Sequence, residues 1–271
     1  MLASACVYHG AMALNDWADR AEDARVRPSR TIPSGAIPAR AALVLAAALL
    51  ASGPLLALAV APRCGLVLGA VAACAALYDL AGRGPWLGPL LLASCRAGNL
   101  GVGLAYASTL RSWNPWLGLA PLAYGLYVFF VSRLARLEDL DPARYETGAV
   151  RPARWLVASG VALLGVGAVA TFLAYLPLDP ARPSSSGHGA RALFLAGVGA
   201  FGLFHGAWKL SGRAWRAGDV QRLAGMALRR LLVASAALAS GTTTLAGLAV
   251  ALAILCGYPL SFALRKVFPP T

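Results

Sequence analysis

The sequence predicts an all-α protein, a polytopic transmembrane helical bundle of about eight spans with the first one partial. Two compositional facts carry this. The chain is 59% hydrophobic with a mean hydropathy of +0.66. Only 13% of its 271 residues are charged, about half the share of an ordinary soluble domain. The third observation is periodic: apolar runs of near-spanning length recur along the chain, separated by short polar or basic stretches.

The runs lie near residues 2–15, 41–61, 64–80, 87–108, 116–135, 154–176, 190–208 and 231–262. Most approach the roughly 20 residues needed to cross the hydrocarbon. They are rich in Ala, Leu and Gly, which suits close helix packing in lipid. Residues 1–271 read as one transmembrane domain. The last run is long enough to tilt, bend or lie along the interface. The first is too short. Met1 to Leu14 makes a helix of about 21 Å, against about 30 Å of hydrocarbon. It lacks a basic leading region, so it does not read as a signal peptide.

The net charge is +13, which by itself could suggest nucleic acid. The distribution excludes that reading. Numbering the loops by alternation puts most arginines, from Arg20 to Arg230, on one side. The other side holds only Arg63, Arg111, Arg182, Arg191, Arg265 and Lys266. The positive-inside rule places the arginine-rich side in the cytoplasm, where it also meets anionic lipid. The acids divide the same way. Asp16, Asp19, Glu22 and Asp23 form one cluster, and Glu138, Asp139, Asp141 and Glu146 form a second. Asp79 and Asp219 fall on that face too, leaving Asp179 opposite. Such acids either hold cations there or balance loop arginines.

The five cysteines lie in or beside apolar runs without C-x-x-C pairing, and read as small buried residues. His9, His188 and His205 share no ligand spacing. His205 fits either a packing role or a functional one.

The most specific chemistry is Asn15-Asp16-Trp17-Ala18-Asp19-Arg20-Ala21-Glu22-Asp23, an amide and four acids at the end of the first apolar run. Acids are costly near a bilayer and mark function there. On a helix Asn15, Asp19 and Asp23 share one face, with Asp16 one turn before Asp19. Oxygen ligands in that array suit a hard cation such as Mg²⁺, which keeps positions open for phosphate.

This N-D-x-x-D-x-x-x-D pattern resembles the first aspartate-rich motif of the UbiA superfamily of intramembrane prenyltransferases. The following Arg27-Pro28-Ser29-Arg30-Thr31-Ile32-Pro33-Ser34-Gly35 is similar to that family's R-P-x-R-P-x-P-S-G run, with Thr31 in place of a proline. Tyr78-Asp79-Leu80-Ala81-Gly82-Arg83 resembles Y-x-x-x-K-R, with Gly82 replacing the lysine and Arg83 retained. Arg83 then either holds a diphosphate or anchors the helix at the interface. The second acidic cluster, Ser132 to Asp141, sits where the family carries D-x-x-x-D, but its spacing departs; Glu138 is the first choice as ligand. Cys95-Arg96-Ala97-Gly98-Asn99 and Ser132-Arg133 through Glu138 are similar to the EboC-like branch. Asn99 either lines the diphosphate pocket or ties two helices together. In the family the first motif closes the second helix of nine, so the resemblance implies a chain lacking the first transmembrane helix and part of the next.

The resemblance implies a Mg²⁺-dependent prenyltransferase acting on a prenyl diphosphate and a hydrophobic or aromatic acceptor, in contact with membrane lipid. Asn15, Asp16, Asp19 and Asp23 would hold Mg²⁺, with Glu138, Asp139 and Asp141 around a second ion. Asp16, Asp19 and Arg83 would serve catalysis, and Arg27, Arg30, Tyr78 and Asn99 would bind the diphosphate. The implied location is a bacterial inner membrane with the acidic motifs facing the cytoplasm. A second reading is a non-catalytic prenyl- or lipid-binding membrane component. The altered second motif and the lysine missing at Gly82 favour it, and the intact first motif opposes it. The motif of CDP-alcohol phosphotransferases is absent. The basic stretch from Lys209 to Arg230, with Trp215, reads as a cytoplasmic cap or an interfacial helix.

Overall fold

The computed structural model describes residues 1–82, 84–110, 114–138, 151–175, 186–211, 215–241 and 245–267. Among them every regular element is helical. The α-helices are α1 (Leu2–Val26), α2 (Ala39–Val60), α3 (Pro62–Leu80), α4 (Leu87–Leu110), α5 (Leu119–Ala135), α6 (Pro152–Tyr175), α7 (Ser186–Lys209), α8 (Ala217–Ser240) and α9 (Leu245–Val267), with a 3₁₀ turn at Pro115–Gly118 leading into α5. Seven of these segments are long and apolar enough to cross a membrane, from Ala39–Val60 through Gly218–Ser240. The expected all-helical polytopic architecture is therefore present. The helices group into two compact units, Met1–Trp113 and Asn114–Thr271.

In the first unit α1 packs on α2 and α3, and α3 on α4. Proline sets its corners. Pro28 disfavours helical backbone at Arg27, and α1 ends there with φ −141°. Ala61 is extended ahead of Pro62, and Pro62 opens α3 at the first helical position, where its missing N–H costs nothing. That one-residue joint makes α2 and α3 antiparallel. α1 and α3 therefore run in the same direction and present their C-terminal ends together. α1 is 25 residues long and continues unbroken through the acidic stretch, so the acids sit on a rigid helix of about 37 Å. The loop after it is a folded turn. Ser34 N–H donates to the Arg30 carbonyl (2.9 Å) and Ile37 N–H to that of Thr31 (3.0 Å). Gly35 takes φ +77°, the one left-handed position among the described residues.

Small residues set the helix spacing. Gly53 of α2 lies against Val7 and the Ala3 carbonyl of α1, and Gly10 of α1 lies against Leu49 and Leu50. The core of this unit includes Val7, Ala57, Cys64, Leu68, Val71 and Ala105.

The second unit is built on α5 to α9, with a core that includes Tyr127, Leu134, Leu156, Leu163, Val166, Leu203 and Ala227. The Tyr127 hydroxyl donates to the Ala227 carbonyl at 2.7 Å, tying α5 to α8. His205 stands in an exposed aromatic row on α7, 6.1 Å from Phe201 and 6.0 Å from Trp208 between ring centres.

The last basic and apolar stretches divide differently from the expected runs: residues 217–230 form the first half of α8, and residues 231–262 fall in two helices. α8 starts at Ala217 and α9 at Leu245. Asp219 fixes the start of α8: its buried carboxylate accepts the Arg216 backbone N–H (3.2 Å) and pairs with Arg222 (2.6 Å). Arg230 lies inside the packing, where Nε donates to the Gly199 carbonyl of α7 at 2.6 Å. Arginines with partners in the protein thus lie within the first half of α8, which the apolar run beginning at residue 231 leaves out.

Candidate functional site

The C-terminal ends of α1 and α3 bring two polar groups together. The Asn15 amide donates to Asp79 Oδ1 at 3.0 Å, and Asp79 is buried. The bond fixes the Asn15 amide plane and leaves its carbonyl oxygen as an acceptor. Asp16, next along α1, has an exposed side chain.

Behind this polar end lies a cavity of about 490 Å³, wholly within the first unit. α1 contributes Ser4, Val7, Tyr8, His9, Met12, Asn15 and Asp16; α3 contributes Val71, Ala75, Tyr78 and Asp79; α4 contributes Leu92, Cys95, Arg96 and Asn99. Ser4 to Asp16 covers about 18 Å of α1, so the cavity is long and runs with the helix. Its lining is mostly apolar, with the Asn15–Asp16–Tyr78–Asp79 group at one end.

The loop after α1 closes on the acids. Arg30 Nη1 lies 2.9 Å from Asp23 Oδ2 and 3.7 Å from Asp16 Oδ1. Asp23 is buried under this pair and is not among the cavity-lining residues. Arg20 turns back on its own helix, with Cζ 4.1 Å from the Trp17 ring and Nη1 donating to the Trp17 carbonyl at 2.7 Å.

Of the residues singled out from sequence, Asn15, Asp16, Tyr78 and Asn99 share the cavity. Asp19 is half-buried one turn beyond Asp16, and Arg27 is exposed at the end of α1. Glu138 lies in the second unit, exposed in the turn after α5, with its N–H donating to the Ala135 carbonyl (2.9 Å). Arg83, Asp139 and Asp141 lie outside the described residues. Among the described residues no three His, Cys, Asp or Glu side chains converge on one point as a ready metal cage.

Asp79 is the residue sequence reading passed over. It stood inside the Tyr78–Arg83 match at a position where the family pattern specifies nothing. The available signal was an acid in the last turn of an apolar run.

A match to the UbiA prenyltransferase family runs over residues 1–228, most of the chain. The chain belongs to the UbiA prenyltransferase family. Members are membrane prenyltransferases that generally use Mg²⁺ and act on prenyl diphosphates and hydrophobic acceptors. The apolar helices and this membership make the chain an integral, multi-pass membrane protein of the UbiA type. No curated protein and no solved structure matches it.

Proposed function

We propose that the chain catalyses Mg²⁺-dependent transfer of a prenyl group from a prenyl diphosphate to an aromatic or lipid-like acceptor within the membrane. One observation carries this reading: a long apolar cavity ends in the Asn15–Asp16–Asp79 group. A tail of carbon and hydrogen fits the length, and each buried CH₂ contributes about 0.8 kcal/mol. The polar end suits the headgroup.

The donor set fits Mg²⁺. Every ligand offered by Asn15, Asp16 and Asp19 is oxygen, and Mg²⁺ is commonly bound by one or two carboxylates plus phosphate oxygens and water. Such a site would take few protein ligands and be completed by the diphosphate. When bound, the ion supplies Lewis-acid stabilisation of the departing diphosphate. Asn15 is held by Asp79, and Arg30 adds positive charge beside Asp16. Arg27, Tyr78 and Arg83 complete the proposed phosphate contacts, and Glu138, Asp139 and Asp141 the proposed second acidic group. In the reaction the allylic carbon–oxygen bond breaks and the diphosphate leaves with the electron pair. An acceptor carbon or oxygen bonds to the allylic carbon and gives up one proton. The apolar walls keep water from the cation. In the proposed orientation the acidic ends of α1 and α3 face the cytoplasm, where soluble diphosphate is released.

The test uses the full chain in lipid nanodiscs with farnesyl and geranylgeranyl diphosphates and a panel of phenolic acceptors. Diphosphate release is expected with Mg²⁺ and at least about 100-fold less after chelation. Mg²⁺-dependent binding without release with any acceptor would instead favour the non-catalytic prenyl-binding component. Absence of both overturns the reading.

Asp79 acts in this scheme as a positioning residue for Asn15. Asp79→Ala removes the acceptor and is expected to lower turnover about tenfold. Asp79→Asn keeps an oxygen facing Asn15 and should retain more of the rate. Initial rates across a Mg²⁺ titration check this. Equal losses in the two variants would assign the effect to the carboxylate charge instead.

A further inference from the structure

The flank where α7 meets α8 carries three donor groups that the proposed Mg²⁺ and diphosphate chemistry does not use. Glycines of α7 make room for α8 there. A Cβ at Gly199 would meet Val233, one at Gly206 would meet Leu223, and one at Gly202 would run into Arg230 Nη2. Arg230 reaches from α8 into this notch. Its Nε donates to the Gly199 carbonyl at 2.6 Å and its Nη1 to the Met226 carbonyl at 3.3 Å. Nη2 is left beside Gly202. His205 follows Gly202 by three residues and Lys209 follows His205 by four, so the three groups succeed one another along one flank of α7. His205 and Lys209 are exposed.

No acid answers these donors. α7 has none in its sequence, and α8 has only Asp219. Asp219 pairs with Arg222 and stands about 16 Å of helix rise before Arg230. Among the described residues His205, Lys209 and Arg230 make no ion pair.

Depth separates this group from ordinary interfacial charge. The apolar span of α7 is Ala190–Lys209. Trp208 and Lys209 end it, as residues at a membrane interface commonly do. Arg230, opposite Gly202, lies about 10 Å further in. An arginine at that depth whose charge meets only carbonyls marks a ligand site. The ligand is an anion, and the exposed face of α7 shows where it comes from. Phe201, Val198 and Phe194 continue inward from His205 and are 71%, 59% and 70% exposed. Their helical spacing keeps them in line with His205 and Trp208. His205 to Phe194 covers about 16 Å, close to the half-thickness of hydrocarbon that one acyl chain fills. A phosphate level with His205 is in reach of Lys209 one turn above and of Arg230 Nη2 one turn below. The imidazole offers it an N–H in either protonation state.

We propose that this flank binds one anionic phospholipid, with the phosphate among Lys209, His205 and Arg230 and an acyl chain along Phe201, Val198 and Phe194. A zwitterionic lipid brings its own ammonium against Lys209 and Arg230, so the site prefers a net negative headgroup. The proposal stands apart from the transferase reading and needs no step of it.

The test counts lipids. The full chain in dodecyl maltoside is titrated with dioleoyl phosphatidylglycerol and with dioleoyl phosphatidylcholine, and native mass spectrometry reads the number retained. Wild type is expected to hold one phosphatidylglycerol at least about tenfold more tightly than phosphatidylcholine. Lys209→Gln combined with His205→Leu changes only exposed positions and should remove most of that preference. Arg191→Gln, at the other end of α7, should leave it intact, which separates a site from net charge. Thermal unfolding confirms that each variant is folded. Equal affinity for the two lipids in wild type, an unchanged preference in the folded double variant, or an equal loss in Arg191→Gln overturns the proposal. Displacement of the bound lipid by millimolar sn-glycerol 1-phosphate also overturns it, because the site would then belong to a soluble phosphate.

Discussion

Asp16→Asn is expected to reduce Mg²⁺-dependent diphosphate release roughly 100-fold or more while leaving the fold unchanged. The two effects separate because Asp16 has a near neighbour but no structural burden. Its side chain is 52% exposed, and its contact with Arg30 is long, at 3.7 Å. An exposed pair of that kind contributes little to stability. Arg30 keeps its shorter contact with the buried Asp23, so the loop after α1 stays closed. The carboxamide matches the carboxylate in shape and keeps one oxygen, but loses the negative charge that holds a divalent ion. The measurement pairs release rates at saturating donor with a Mg²⁺ titration and thermal unfolding. A folded variant that recovers rate only at much higher Mg²⁺ places Asp16 on the ion. A folded variant with wild-type rate and wild-type Mg²⁺ dependence removes Asp16 from the chemistry.

The residues that are easiest to read in the sequence are those whose local pattern and tertiary role agree. Asn15 and Asp16 fall at the end of an apolar run, and that run is helical through the motif, so their spacing translates directly into position on α1. The prolines work the same way: Pro28 and Pro62 mark helix boundaries through backbone sterics, which need no tertiary context. Seven apolar segments are long enough to span, because hydropathy and length are properties of the chain itself.

What escaped was set by contacts between helices. The first half of α8 carries Arg222, Arg229 and Arg230, which lower its local hydropathy and hide the true start of an otherwise apolar helix. Arg222 pairs with Asp219 three residues earlier on the same helix, whereas Arg230 donates to the Gly199 carbonyl of α7, a partner that no local pattern shows. The division of 231–262 into two helices falls after Ser240, inside a run of small residues without proline or charge. Asp79 was hidden for a related reason. Its importance comes from Asn15, 64 residues away, and no spacing rule joins the two. Arg96 and Asn99 were visible as polar residues in an apolar span. Their shared opening onto one cavity needed α1, α3 and α4 in place.

The largest stability effect in the first unit is expected at Gly53. A Cβ there would stand 2.5 Å from Val7 Cγ2 and 2.7 Å from the Ala3 carbonyl oxygen. The second contact is to backbone, so a side-chain rotation cannot relieve it. α1 would have to move away from α2. The buried face of α2 is Ala42, Ala46, Gly53 and Ala57, the small-residue stripe that lets two helices approach closely where lipid offers no hydrophobic drive. Gly53→Leu is therefore expected to destabilise the unit by about 3 kcal/mol. Gly103 of α4 provides the contrast, because nothing lies within 4 Å of a Cβ placed there. Gly103→Leu should be neutral, or stabilising by up to about 1 kcal/mol through helix propensity. Both variants make the same chemical change in a helix of similar length, so the comparison isolates close approach from propensity. Thermal unfolding in nanodiscs reads the stability. Turnover reads the consequence for the site, since α1 carries Asn15 and Asp16 and any outward shift lengthens the Asn15–Asp79 bond. A folded Gly53→Leu variant as stable as Gly103→Leu would mean that α1 is not pinned to α2 at this level. The rigid positioning of the acids would then have to come from α3 alone.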